Sequence, residues 1–140
     1  MSAVKLGRMA LAGLALTGSL AATQPAPCPD AEDLQAADLH GLWQARFDDG
    51  GPGATLLLEA NPNWAGSLSG GINRKGERAQ LAGDLDEGEL TLEESADGRR
   101  IDAAWIGEVV PGSCGRELRG IWRRDGAPAG RAFTLRRQPN

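Results

Sequence analysis

From Leu39 onward, apolar side chains recur at every second position, and short clusters of glycine, proline, asparagine and aspartate cut the alternation into segments. That period marks strands with one buried face. Leu39 to Phe47 puts Leu39, Trp43 and Phe47 on one face, and Asp48-Asp49-Gly50-Gly51-Pro52-Gly53 ends it in a turn. Ala54 to Ala60 follows with Leu56 and Leu58 inward, closed by Asn61-Pro62-Asn63. Gly66 to Ile72 places Leu68 and Ile72 together, and Arg74-Lys75-Gly76-Glu77 turns the chain. Ala79 to Leu85 offers Leu81, Gly83 and Leu85 on one face before the turn Asp86-Glu87-Gly88. Glu89 to Ser95 comes next, and Asp97-Gly98 predicts a hairpin into Arg100 to Val110, with Ile101, Ala103 and Trp105 inward. Pro111 to Gly115 is a loop. Leu118 to Arg124 carries Gly120 and Trp122, and Ala132 to Gln138 closes the chain after a turn over 125–130.

About eight short strands with no intervening helix predict an all-β domain. An up-and-down antiparallel barrel is the natural architecture, because closure removes exposed edges; a sandwich is the alternative. A short helical piece, Asp30 to Ala37, precedes the strands, with Asp30 as N-cap and Glu32 and Asp33 in the first turn. Leu39-His40-Gly41-Leu42-Trp43 is echoed by Leu118-Arg119-Gly120-Ile121-Trp122, and each is followed after a Gly/Pro turn by Thr-Leu. The echo suggests two hairpins that neighbour each other where a barrel closes.

The first residues have a different pattern. Lys5 and Arg8 precede an apolar stretch from Met9 to Leu20, and Ser19-Leu20-Ala21 supplies small residues for a signal peptidase. This predicts an export signal over 1–21, cut after Ala21 or Ala22. The stretch is too short and glycine-broken for a membrane span. The expected organisation is a signal over 1–21, an arm over 22–38 and a barrel over 39–138, with a periplasmic or secreted location and no membrane association after cleavage. Of 140 residues, about 118 then remain, enough for one small domain.

Export changes the meaning of the two cysteines, Cys28 and Cys114. An oxidising compartment favours joining them. The closed loop spans 86 positions. Charge is uneven: residues 22–110 hold 17 acidic and 6 basic side chains, and residues 111–140 hold 2 acidic and 7 basic. Such a split marks either a binding face or acidic and basic strands that neighbour each other in one sheet, and the second reading is preferred. Net acidity argues against nucleic acid as a partner.

Gly41-Leu42-Trp43 at the start of the first strand, after a short helix, resembles the Gly-x-Trp signature of calycin-type barrels. That group includes lipocalins, avidins and small bacterial periplasmic inhibitors of secreted metalloproteases. The resemblance implies that Trp43 plugs one barrel end and that a basic side chain of the last strand lies over it. Arg136 and Arg137 are the candidates. Arg137 is preferred because it shares a face with Phe133 and Leu135. The absence of tyrosine excludes an avidin-like biotin site.

Catalytic constellations are sparse. His40 is the single imidazole, and none of Ser67, Ser69, Ser95 and Ser113 sits in a Gly-x-Ser-x-Gly elbow. Cys114 could act as a nucleophile with His40 only if it were not paired to Cys28. The acidic run Asp84, Asp86, Glu87, Glu89, Glu93, Glu94 and Asp97 fails the twelve-residue calcium-loop pattern and reads as the solvated face of a hairpin. No metal site and no cofactor is implied. Trp43, Trp105 and Trp122 fall on inner faces, where they either fill the barrel or line a pocket for a small apolar ligand. Trp64, at a loop end, is a candidate contact residue. The expectation is a non-enzymatic exported binding protein, an inhibitor of another exported protein being one form. A carrier with a tryptophan-lined barrel and an envelope enzyme are the alternatives.

Overall fold

Each strand pairs with the next in sequence, and the last returns to the first, in the computed structural model of the chain. The structure describes residues 3, 7, 10–20 and 27–139. Lys5, Arg8, Met9 and the expected cut at Ala21 or Ala22 lie outside the described residues. The strands are β1 Gly41–Phe47, β2 Ala54–Ala60, β3 Leu68–Arg74, β4 Glu77–Asp86, β5 Glu89–Ser95, β6 Ala103–Val109, β7 Glu117–Arg124 and β8 Arg131–Arg137. All pairings are antiparallel, so the chain forms an eight-stranded up-and-down closed barrel.

The turns follow from the residues that occupy them. Lys75 and Gly76 have φ of 49° and 92°, and Glu87 and Gly88 have φ of 48° and 81°. Paired positive φ values make the tight turn whose twist suits antiparallel strands. Closure depends on glycines inside the strands. A Cβ on Gly83 would lie 1.9 Å from the Thr91 carbonyl oxygen, and one on Gly120 would lie 2.0 Å from that of Ile106. Backbones this close let the sheet coil sharply enough to meet itself. The Phe133 ring packs into the space beside Gly107, where a Cβ would lie 3.0 Å from its tip.

Three expectations change. The Asp30 to Ala37 helix is two 3-10 turns, Ala31–Asp33 and Ala36–Leu39. Asp30 makes no side-chain cap, and the chain restarts at Gln35, whose backbone N–H donates to Asp38 Oδ2 at 2.7 Å. Asp97-Gly98 lies within a longer loop, so β6 begins at Ala103 rather than Arg100. Asp97 Oδ1 accepts from the backbone N–H groups of Arg99 and Arg100, both at 2.8 Å, and so holds the loop folded. Ile101 thus falls outside the ladder and is 46% exposed instead of inward. The echoed hairpins, β1–β2 and β7–β8, do meet where β1 pairs with β8, but their registers differ: Trp43 faces Leu56, whereas Trp122 faces Arg131.

Candidate functional site

The two barrel ends are closed by different chemistry. At the end where β1 starts, Trp43 is fully buried and its indole N–H donates to the Leu39 carbonyl at 2.9 Å. Arg137, beside Trp43 in the β1–β8 register, lays its guanidinium 5.5 Å from the centre of the ring. The same guanidinium donates to the Asp38 carbonyl at 2.6 Å and to the His40 carbonyl. It therefore ties the second 3-10 turn to the last strand. Arg136 points outward and reaches Glu117 at 3.5 Å.

Cys28 and Cys114 are bonded, with Cα atoms 5.1 Å apart. The arm crosses this end: Ala31 packs on the Gly88 turn and Leu34 on Gly115 beside the disulfide. With its sulfur in the bond, Cys114 cannot be a nucleophile. His40 Nε2 is buried and, among the described residues, has no hydrogen-bond partner.

The interior is aromatic. Trp105 lies at the centre, with Phe133 at 4.9 Å, Phe47 at 5.8 Å and Trp122 at 6.2 Å between ring centroids. Edge-on and offset contacts at these spacings are favourable beyond simple burial. Trp43, Trp105 and Trp122 are thus packed side chains within the core.

The second end holds a charge that the acidic-run reading placed in solvent. Leu90, Leu92 and Glu94 share the inner face of β5, and Glu94 is 4% exposed. Its carboxylate accepts from Arg74 through two nitrogens, one at 2.7 Å. It also accepts from the indole N–H of Trp105 at 3.0 Å and of Trp122 at 3.1 Å. Burial pushes this carboxyl's pKa up, but Arg74 and the two indoles outweigh it and hold the group below its ordinary value. Around the Trp122 ring stand Arg74, Arg124 and Arg131, at 5.2, 5.6 and 5.8 Å. Arg131 also lies 3.8 Å over Phe47 and forks onto Asp49 at 2.6 and 2.9 Å. That fork and the Gly51 N–H hold the Asp49 carboxyl down to a pKa of about 2.

The remaining carboxylates of the run are outside. Asp84, Asp86, Glu89 and Glu93 lie on the outer wall of β4 and β5, and Glu87 sits in their turn. Among the described residues, no group of three His, Cys, Asp or Glu side chains could hold a metal ion. Among the described residues, the acidic segment 22–110 and the basic segment 111–140 meet in one ion pair, Arg131 with Asp49, whereas Glu117 with Arg119 and Arg136 lies wholly within the basic segment.

Exposed apolar side chains mark the outer surface. Trp64 is 71% exposed at the rim of a hollow of about 370 Å³ that includes Asn61, Ser67 and Asp84. A second hollow, of about 550 Å³, runs over β6 and β7 and is lined by Ile101, Ala104, Ile106, Ile121, Arg123 and Arg124. Sequence reading missed this second surface because it placed Ile101 inside. The parity of Ile106 and Ile121, each one step from an inward tryptophan, was the available signal. Among the described residues, no helix is long and apolar enough to cross a membrane. Compared with protein-family models and with curated protein sequences, the chain matches none.

Proposed function

We propose that this chain is an exported, non-enzymatic binding protein whose barrel is a rigid frame and whose outer surface meets a partner, itself an exported protein. The observation that carries this reading is the packed interior, in which Trp105 is ringed by Phe47, Trp122 and Phe133 within 6.2 Å. A carrier needs an enclosed space, and these rings occupy the place where a small apolar ligand would sit. The Trp43–Arg137 stack supports a calycin-like reading, in which a tryptophan and a basic residue seal one barrel end. The disulfide supports export. So does the stretch before the arm, where Leu11, Leu14, Leu16 and Leu20 are almost fully exposed.

Site-specific photo-crosslinkers on the outer wall, placed one at a time at Leu57, Trp64 and Ala104, test the reading in the native envelope. A discrete protein adduct from at least one position supports it. A stoichiometric apolar compound extracted from native protein, with no adduct from any position, overturns it in favour of a carrier.

A further inference from the structure

Two exposed apolar pairs face each other across neighbouring strands on the outer wall, Leu42 with Leu57 on β1 and β2 and Ile106 with Ile121 on β6 and β7, and the second lines a hollow flanked by arginines. Ile106 and Ile121 face each other across the strand pair and point away from the core. They are 51% and 50% exposed, and Ile101, 46% exposed, extends the same surface. Ala104 keeps the floor low beside them. These side chains add nothing to the core, and an apolar hollow on the outer wall is a candidate contact site.

Charge identifies the occupant. Arg123 and Arg124 line the hollow, and neither forms an ion pair among the described residues. Arg123 spends its Nε on the Ala127 carbonyl at 2.9 Å, and among the described residues its two terminal nitrogens have no partner. Arg124 leans over the Trp122 ring. Asp125, at the hollow's end, offsets one of the two charges. The lining is therefore basic, on a chain whose net charge is −4. A guanidinium with free N–H groups beside an apolar floor fits a carboxylate next to an apolar side chain.

We propose that the outer wall of β6 and β7 docks a segment of the partner protein that carries an apolar side chain next to a carboxylate. The apolar group seats between Ile106 and Ile121, and the carboxylate takes the free nitrogens of Arg123. This rests on the binding-protein reading above and names the chemistry of the partner at one surface.

The test places a benzophenone side chain at Ala104 in the full chain, expressed in its native compartment, and maps the crosslinked peptide by mass spectrometry. The expected adduct is a segment of another exported protein with Asp or Glu within a few residues of a large apolar side chain. Arg123→Glu lowers its yield at least tenfold, and Arg123→Lys preserves a substantial part. Ile121→Ser lowers it as well. Arg123→Glu gives up the bond to the Ala127 carbonyl and Ile121→Ser some half-buried surface, so the urea midpoints fall modestly while an unchanged cooperative slope confirms a folded protein. Four results overturn the proposal: an adduct indifferent to Arg123→Glu, a basic crosslinked segment, a lipid adduct, or an adduct with a second copy of this chain. Silence at Ala104 with an adduct at Leu57 or Trp64 also overturns it, while leaving the binding-protein reading standing. Silence at every position, with an apolar compound inside the barrel, removes both.

Discussion

Replacing Glu94 by alanine removes the acceptor on which one end of the barrel is organised. The carboxylate is 4% exposed and receives hydrogen bonds from Arg74, Trp105 and Trp122. Alanine leaves a guanidinium and two buried indole N–H groups without partners. Breaking a buried ion pair from one side costs about 3–5 kcal/mol. Each orphaned neutral donor adds about 1–3 kcal/mol where water cannot reach it. The Arg74 side chain keeps 23% of its surface exposed, so water recovers part of its loss. These terms overlap, and the expected destabilisation is about 3–5 kcal/mol, a large share of the ~5–15 kcal/mol available to a small domain. Glu94→Gln keeps one carbonyl acceptor for the indoles but turns an amide toward Arg74, so it falls between, at about 1.5–3 kcal/mol. Urea unfolding read by tryptophan fluorescence measures both, with an unchanged slope as the condition for comparison. The pH dependence supplies a second arm. The folded carboxyl titrates below its unfolded value, so its contribution is complete above the ordinary carboxylate range. It disappears as pH falls through the depressed folded value, and the wild-type advantage over Glu94→Gln shrinks there. A loss below about 1 kcal/mol for Glu94→Ala would refute the reasoning, since it would mean that water replaces the carboxylate freely.

Three further outcomes are expected. Reducing the disulfide, or Cys28→Ser, lowers the melting temperature by several degrees, because even half of the ~4–5 kcal/mol that chain entropy assigns to closing a loop of 86 residues is about 2 kcal/mol; hydrogen exchange should speed over residues 28–38, and unchanged exchange would show that the arm is anchored without the bond. Arg137→Ala costs about 1–3 kcal/mol by leaving the Asp38 and His40 carbonyls without their donor, and equal stability of the variant in urea would remove Arg137 as the tie between the arm and β8. Gly83→Ala forces backbone apart at a site with no room for a Cβ and should cost about 1–3 kcal/mol or prevent folding, while Gly71→Ala, whose Cβ would meet only the Ala79 carbonyl at 3.7 Å, stays near wild type.

The strands were legible because each carries its own period. β2, Ala54–Ala60, and β5, Glu89–Ser95, match the alternation of their apolar residues end to end. Where charge competed with parity, parity was correct. Glu94 continues the series Leu90 and Leu92, yet a glutamate in an acidic run reads as solvated unless a partner is known. Its partner Arg74 ends β3, where the sequence reads as a turn, and nothing in one strand shows that another sends an arginine across the barrel. Loop reading failed at Asp97-Gly98 for a local reason, since Asp97 can serve a tight hairpin or cap the two N–H groups that follow it. The N-terminal arm misled through composition. Acidic residues after Asp30 suit a helix, but the segment lacks an apolar face long enough to hold one. The hairpin echo was a likeness of words without a likeness of register, because turn length decides which residues face each other.

Closure restricts how such a barrel can meet a protein. An open sheet can accept a partner's strand at its edge and gain main-chain hydrogen bonds along the whole length. Here β1 pairs with β8 from Trp43 to Phe47, so the ladder has no free edge. The interior offers no alternative, because Trp43 and Arg137 close one end and the Glu94 cluster organises the other. A partner of the proposed kind would be held by outward side chains alone, and interfaces of that kind concentrate their energy in a few residues. On β6 and β7 those residues are isoleucines flanked by arginines with no ion-pair partner among the described residues. They lie on the same strands whose inward tryptophans, Trp105 and Trp122, donate to Glu94. Alternation thus sets the anchored core and the candidate contact surface on opposite faces of one strand pair, and the rigidity of the first limits the ordering cost of the second.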